Sequence, residues 1–61
     1  DEDALRVLVK KIISGQEGLV AQYKAGKESI LQALVGLMMK ETKGSANPQT
    51  AAKLFKEELS S

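Results

Sequence analysis

The chain has 61 residues, 43% of them hydrophobic, and its nine basic and eight acidic side chains give a net charge of +1. This length corresponds to one small domain, which excludes a large buried active site. Because the sequence contains no histidine and no cysteine, zinc centres, disulfides, thiol nucleophiles and histidine general bases are also excluded. No apolar run is long enough to span a membrane, and we expect neither membrane contact nor a cofactor.

The first predicted helix covers about residues 2–13. Acidic residues at its start favour the helix dipole, and apolar residues then follow at helical spacing: Leu5, Leu8, Val9 and Ile12. Gly15 is expected to end the helix shortly after Ile13. Lys10 and Lys11 would then lie near the C-terminus, where cations are stabilising.

A second, short helix is predicted at about residues 17–24. Tyr23 lies on its apolar side, which favours packing of the ring over stacking on a base. Gly26 is expected to end this helix in a left-handed conformation. Lys24 and Lys27 flank the turn next to the amide groups that begin the third helix, an arrangement typical of an anion site, although solvated surface lysines explain the pair equally well.

The third predicted helix, about residues 27–42, is the most apolar. One face of this helix is apolar, and the opposite face is polar and carries Gly36 together with Lys40 and Lys43. A glycine within a helix costs about 1 kcal/mol relative to alanine, so Gly36 indicates close approach of another group to the backbone. The two lysines favour a phosphate backbone as that group, but they also suit a helix C-terminus whatever the function.

Gly44 is expected to end the third helix, and Asn47–Pro48 to begin a fourth that runs to about residue 59. Asparagine caps free amide groups, and proline at the first helical position loses no hydrogen bond. The carboxylates at the two ends of the chain are interpreted as a solubilising fringe: Asp1, Glu2, Asp3, Glu57 and Glu58. We therefore expect an all-α fold, a small bundle of three to four short helices, with no catalytic residues.

Two linked patterns resemble a known family. They are Val20-x-x-Tyr23-x-x-Gly26-Lys27 and Leu34-Val35-Gly36-x-x-Met39-Lys40-x-Thr42-Lys43-Gly44-x-Ala46-Asn47-Pro48. Together they are similar to the C-terminal tail domain shared by the B subunit of the tRNA-dependent Asp/Glu amidotransferase (GatB) and YqeY-like proteins. The resemblance covers nearly the whole chain and implies that residues 1–61 are a single helical tail domain from a longer protein.

The resemblance also implies a function. In that family the complete cytoplasmic enzyme, with its A and C subunits, uses ATP and glutamine to convert Glu-tRNA(Gln) or Asp-tRNA(Asn) to the correct amide. Catalysis takes place in other domains, and the tail domain holds the tRNA body around its D-loop and outer corner.

Carried onto this chain, the patterns and the residue chemistry predict nine RNA-facing or loop-shaping residues: Tyr23, Lys24, Gly26, Lys27, Gly36, Lys40, Lys43, Gly44 and Asn47. Capping alone would explain Asn47. The chain departs from the family at Ser45, where a basic residue is frequent, and at Leu37, where a polar one is common. Two alternatives stay open. One is a protein-interaction module that docks apolar helix edges or Met39, and the other is a YqeY-like domain of unknown role.

Overall fold

The apolar stripes of four helices meet in one core. The structure, a computed structural model, describes residues 2–60. The helices are α1 (Glu2–Gly15), α2 (Glu17–Lys24), α3 (Ile30–Glu41) and α4 (Pro48–Ser60), and the described residues include no strand. The predicted all-α bundle is thus confirmed. None of the helices within residues 2–60 has the length and apolar character needed to cross a membrane.

Helix α3 lies at the centre, in contact with each of the other three helices. Its buried side chains are Ile30, Leu34 and Met38. They pack with buried residues of α1 and α4, and the five largest fully buried side chains of the core are Val9, Leu34, Met38, Leu54 and Phe55. Burial of each such side chain contributes about 1.5–3 kcal/mol, so the core is the main stabilising element of this short chain.

Helix α1 extends to Gly15, two residues beyond the predicted end. Its last turn consequently contains no basic residue. Because dipole effects are limited to the terminal turn, the predicted role of Lys10 and Lys11 in stabilising the helix end is wrong. Lys11 is exposed and is free to take part in another interaction.

The carboxylates near the chain ends are more than a solubilising fringe. Arg6 of α1 donates a 3.2 Å hydrogen bond from Nη2 to Oε1 of Glu57 on α4, and its Nη1 lies 3.5 Å from Oε2 of Glu58. Glu2 is the third partner, at 3.5 Å. The hydrogen bond with Glu57 raises the pKa of the Arg6 guanidinium above its ordinary value. The cluster joins the first helix to the last; Asp1 lies outside the described residues.

Candidate nucleic-acid interface

The structure divides the predicted site residues into two groups at opposite ends of α3. One group, Tyr23 to Lys27, precedes the helix. The other comprises Gly36 and Lys40 in its second half and the residues just beyond: Lys43, Gly44 and Asn47. At 1.5 Å per residue, Ile30 and Lys40 are roughly 15 Å apart along the helix axis. A single small ligand therefore cannot contact both groups, whereas an extended one can.

Gly26 ends α2 through a Schellman motif. Its N–H donates to the Tyr23 carbonyl at 3.0 Å, and the Lys27 N–H donates to the Gln22 carbonyl at 3.1 Å. The motif places Gly26 at φ +111°, a conformation that favours glycine. Tyr23 is half-buried and packs against the core, as its apolar neighbours predicted. Gly26 therefore shapes the turn, and Tyr23 contributes mainly to packing.

The start of α3 differs from the prediction in a way that bears on anion binding. The helix begins at Ile30, three residues later than expected. The first amide groups of α3 donate at 3.0–3.2 Å to the carbonyl oxygens of residues 27–29: Ile30 to Lys27, Leu31 to Glu28 and Gln32 to Ser29. These three donors are occupied within the chain. These amide groups are therefore not available to an anion, and the predicted anion site would have to rest on exposed Lys24 and Lys27 and on the turn before Ile30.

At the other end of α3, the left-handed conformation begins at Lys43, one residue before Gly44. Lys43 has φ +54°, and Gly44 follows at φ +80°. The Gly44 N–H donates to the Met39 carbonyl at 2.8 Å, and the Lys43 N–H to the Lys40 carbonyl at 3.3 Å. This is again the Schellman pattern, with a lysine in the position that usually holds glycine. The left-handed conformation costs a residue with a side chain about 1 kcal/mol.

Hydrogen bonds fix the loop that carries Lys43. The Thr42 hydroxyl donates to the Met38 carbonyl at 3.0 Å, and the Ser45 hydroxyl donates to the Thr42 carbonyl at 2.7 Å. The Ala46 N–H donates to Oγ1 of Thr42 at 3.4 Å, and the Ala46 side chain is buried in the core. Lys43 thus extends from a loop that is bonded to α3 and anchored in the core.

Asn47 acts as the predicted cap of α4. Its Oδ1 accepts hydrogen bonds from the Gln49 N–H at 2.8 Å and the Thr50 N–H at 3.4 Å. Pro48 occupies the first helical position, as the sequence indicated. Capping thus accounts for the Asn47 side chain within the chain itself.

Gly36 is exposed, and a Cβ atom built on it would meet nothing within 4 Å, its own helix backbone and adjacent residues aside. Packing within the described chain therefore does not explain this glycine. Lys40 lies one turn later and is also exposed, so the surface between them is open to an external group. Met39, in contrast, is half-buried and packs against the core, which makes it a poor docking residue.

A cleft of about 550 Å³ lies where the C-terminal ends of α1 and α3 meet. Ile12 and Leu37 contribute apolar surface to it, and its polar residues are Lys11, Gln16, Lys40, Glu41 and Lys43. We refer to it as the basic cleft. Lys11 is not among the residues that the sequence predicts for the site, because only the packing of α1 against α3 brings it to Lys40. One feature of the sequence could have indicated Lys11: it directly precedes the core residue Ile12 and therefore lies at the edge of the packed face of α1.

Comparison with known proteins identifies the family. A family model described as the GatB domain matches residues 1–59. The B subunit of the aspartyl/glutamyl-tRNA(Asn/Gln) amidotransferase from Caldanaerobacter subterraneus subsp. tengcongensis is 53% identical over 60 residues, which is 98% of this chain and 13% of that protein. The protein of the same name from Thermoanaerobacter pseudethanolicus is 50% identical over 98% of this chain and 13% of its own length.

A third relative, the B subunit of the same enzyme from Clostridium botulinum (strain Eklund 17B / Type B), is 49% identical over 97% of this chain and 12% of its own length. No solved structure matches the chain. The chain thus spans about an eighth of these curated relatives, and the family match covers nearly all of it. This confirms the resemblance carried by the motifs around Gly26, Gly36 and Lys43: the chain belongs to the GatB domain family.

Proposed function

We propose that this domain holds the body of a tRNA by its sugar–phosphate backbone, as a non-catalytic part of the B subunit of an aspartyl/glutamyl-tRNA(Asn/Gln) amidotransferase. The observation that carries the proposal is the basic cleft, in which Lys11 of α1 joins Lys40 and Lys43. Clustered lysines neutralise phosphates and release counterions, the main source of affinity for nucleic acids. The relatives' names supply tRNA as the nucleic acid.

Recognition on this surface would rest on shape and backbone charge. The exposed face at Gly36 and Lys40 lets a strand approach the helix closely, and Lys24 and Lys27 offer cations before the opposite end of α3, whose first residue lies roughly 15 Å from Lys40 along the axis. Extended contact with successive phosphates suits such an arrangement, since phosphate contacts position a protein without reading sequence. The domain would then need no cofactor of its own.

In this proposal the domain places the misacylated tRNA while other parts of the enzyme, including the A and C subunits, carry out the ATP- and glutamine-dependent amidation. Two hydroxyls near the cleft are already engaged in loop structure, because Thr42 and Ser45 both donate to backbone carbonyls. The sequence has no histidine to activate either of them, which supports a binding role over a catalytic one.

The test is titration of fluorescently labelled tRNA with the domain across a series of salt concentrations. We expect weak binding, and the logarithm of the association constant should fall linearly with the logarithm of the salt concentration. Three single substitutions should each weaken binding and make the slope of this log–log plot less steep by about one: Lys11→Ala, Lys40→Ala and Lys43→Ala. Lys53→Ala, which removes an exposed lysine of α4, is the control. Equal effects of all four substitutions would contradict the assignment of the basic cleft.

A second function is favoured by a groove of about 350 Å³ between α3 and α4. It is lined by apolar side chains that include Leu31, Val35, Pro48 and Ala52, and such a surface fits the docking of another protein. Chemical-shift mapping separates the two functions. RNA should perturb residues 11–16, 24–27 and 36–44, whereas a protein partner should perturb the groove.

A further inference from the structure

The basic cleft contains a carboxylate among its lysines. Glu41, the last residue of α3, lines the cleft with Lys40 and Lys43 and is exposed. Within residues 2–60, no lysine forms an ion pair with Glu41. A surface that bound phosphate alone would be weakened by this charge, because it repels the ligand.

The C-terminal end of α1 adds negative potential to the cleft. Helix α1 ends at Gly15, which lines the cleft, and a helix C-terminus carries a partial negative charge. At the end of α3, in contrast, the carbonyl oxygens of residues 38–40 accept hydrogen bonds from the loop that follows. The cleft therefore combines cationic donors on three lysines with a carboxylate acceptor on Glu41. Its complement is a ligand that carries both an anion and a hydrogen-bond donor.

A ribonucleotide backbone has this combination, since each phosphate is adjacent to a ribose 2′-hydroxyl, which is both donor and acceptor. A deoxyribonucleotide backbone carries the phosphate without that donor. We propose that Glu41 accepts a hydrogen bond from a ribose 2′-hydroxyl while the lysines hold the neighbouring phosphates, so that the basic cleft distinguishes RNA from DNA. This inference rests on the proposed function, which needs only the lysines.

The experiment compares two probes of one sequence: an RNA hairpin with the sequence of a tRNA D-arm, and its 2′-fluoro counterpart, which retains the A-form but lacks the hydroxyl donor. The wild-type domain should bind the hydroxyl form roughly tenfold more tightly or better, as expected for one hydrogen bond to a charged acceptor. Glu41→Ala should bring this ratio close to one. Glu41→Gln retains an acceptor oxygen without the charge, so both probes should bind more tightly, and the ratio should fall between those of the wild type and Glu41→Ala because a neutral acceptor forms a weaker hydrogen bond.

Glu28→Ala is the matched control, because it removes an exposed carboxylate from the turn before α3, away from the cleft. It should leave the ratio unchanged. Equal affinity of the wild type for the two probes would overturn the role of Glu41, as would a Glu41→Ala effect that is the same on both. The proposed function would survive either result if the lysine substitutions still weaken binding. If the domain bound neither probe, both the proposed function and the role of Glu41 would be contradicted.

Discussion

The guanidinium of Arg6 and the carboxylate of Glu57 lie 3.2 Å apart and join the first helix to the last. Glu2 and Glu58 complete this cluster at the N-terminal end of α1. Lys11 lies further along the same helix, roughly 8 Å along its axis, and faces the basic cleft. Helix α1 thus has a carboxylate cluster near one end and contributes to a lysine cluster near the other.

Arg6→Met should lower the midpoint of thermal unfolding by a few degrees, because Glu57 of α4 loses the ion pair that joins it to α1. The loss should shrink at high salt, since exposed charges are screened. Circular dichroism at low and high salt measures both effects. Lys53→Met, a change of the same chemistry at an exposed position of α4, should have little effect at either salt concentration.

Lys43→Gly should stabilise the fold and weaken RNA binding. Relief of the left-handed strain at φ +54°, partly offset by the greater freedom of glycine in the unfolded chain, should raise the free energy of unfolding by up to about 1 kcal/mol. Loss of the ammonium should lower tRNA affinity. Chemical denaturation and the tRNA titration measure the two quantities on the same protein.

Lys43→Arg serves as its control, because it keeps both the charge and the strain. It should match the wild type in stability and in affinity. If Lys43→Gly bound tRNA as tightly as Lys43→Arg, the lysine would be present for some reason other than phosphate contact.

Gly36→Ala and Gly36→Leu should both fold, because an added Cβ meets no atom of the chain within 4 Å outside its own helix backbone and neighbours. The alanine variant should gain roughly 1 kcal/mol in helix stability. The leucine variant should lose tRNA affinity through steric exclusion. Ala4→Leu, at an exposed position near the start of α1, should leave affinity unchanged, and a well-folded Gly36→Leu variant with wild-type affinity would rule out close approach at this glycine.

Asn47→Ala should reduce the free energy of unfolding by about 1 kcal/mol, since the cap bonds to Gln49 and Thr50 are lost. Asn47→Asp keeps an oxygen acceptor and should retain most of the stability. The aspartate variant also tests whether residue 47 contacts RNA, because a carboxylate at a contact position would repel the phosphates and lower the affinity. We expect its tRNA affinity to change less than that of Lys43→Gly.

The sequence predicts best the features that local chemistry determines. The Asn47–Pro48 start of α4 is correct because both residues act on amide groups of the next turn. The exposed position of Gly36 follows from helical periodicity alone. The predicted start of α3 is wrong because the residues after Lys27 form turns bonded three residues apart, which helical periodicity does not distinguish from an α-helix.

The candidate site is predictable only in part. Lys40 and Lys43 share one segment and can be paired from the sequence, whereas Lys11 joins them only through the packing of α1 against α3. The conformation of Lys43 is not predictable from the sequence for a different reason. Glycine is the usual left-handed residue at a helix end, so Gly44 is expected to end α3, whereas in the structure Lys43 already has φ +54° and Gly44 follows at φ +80°.

The loop from Thr42 to Asn47 has a consequence for the kinetics of binding. Its hydroxyls and amides are bonded to its own backbone and to α3 before any ligand arrives. Little loop entropy then remains to be lost on association, so the cost of ordering that usually reduces affinity is already met during folding. Association should consequently proceed in one step at a rate that depends on ionic strength, with no slow phase from loop rearrangement.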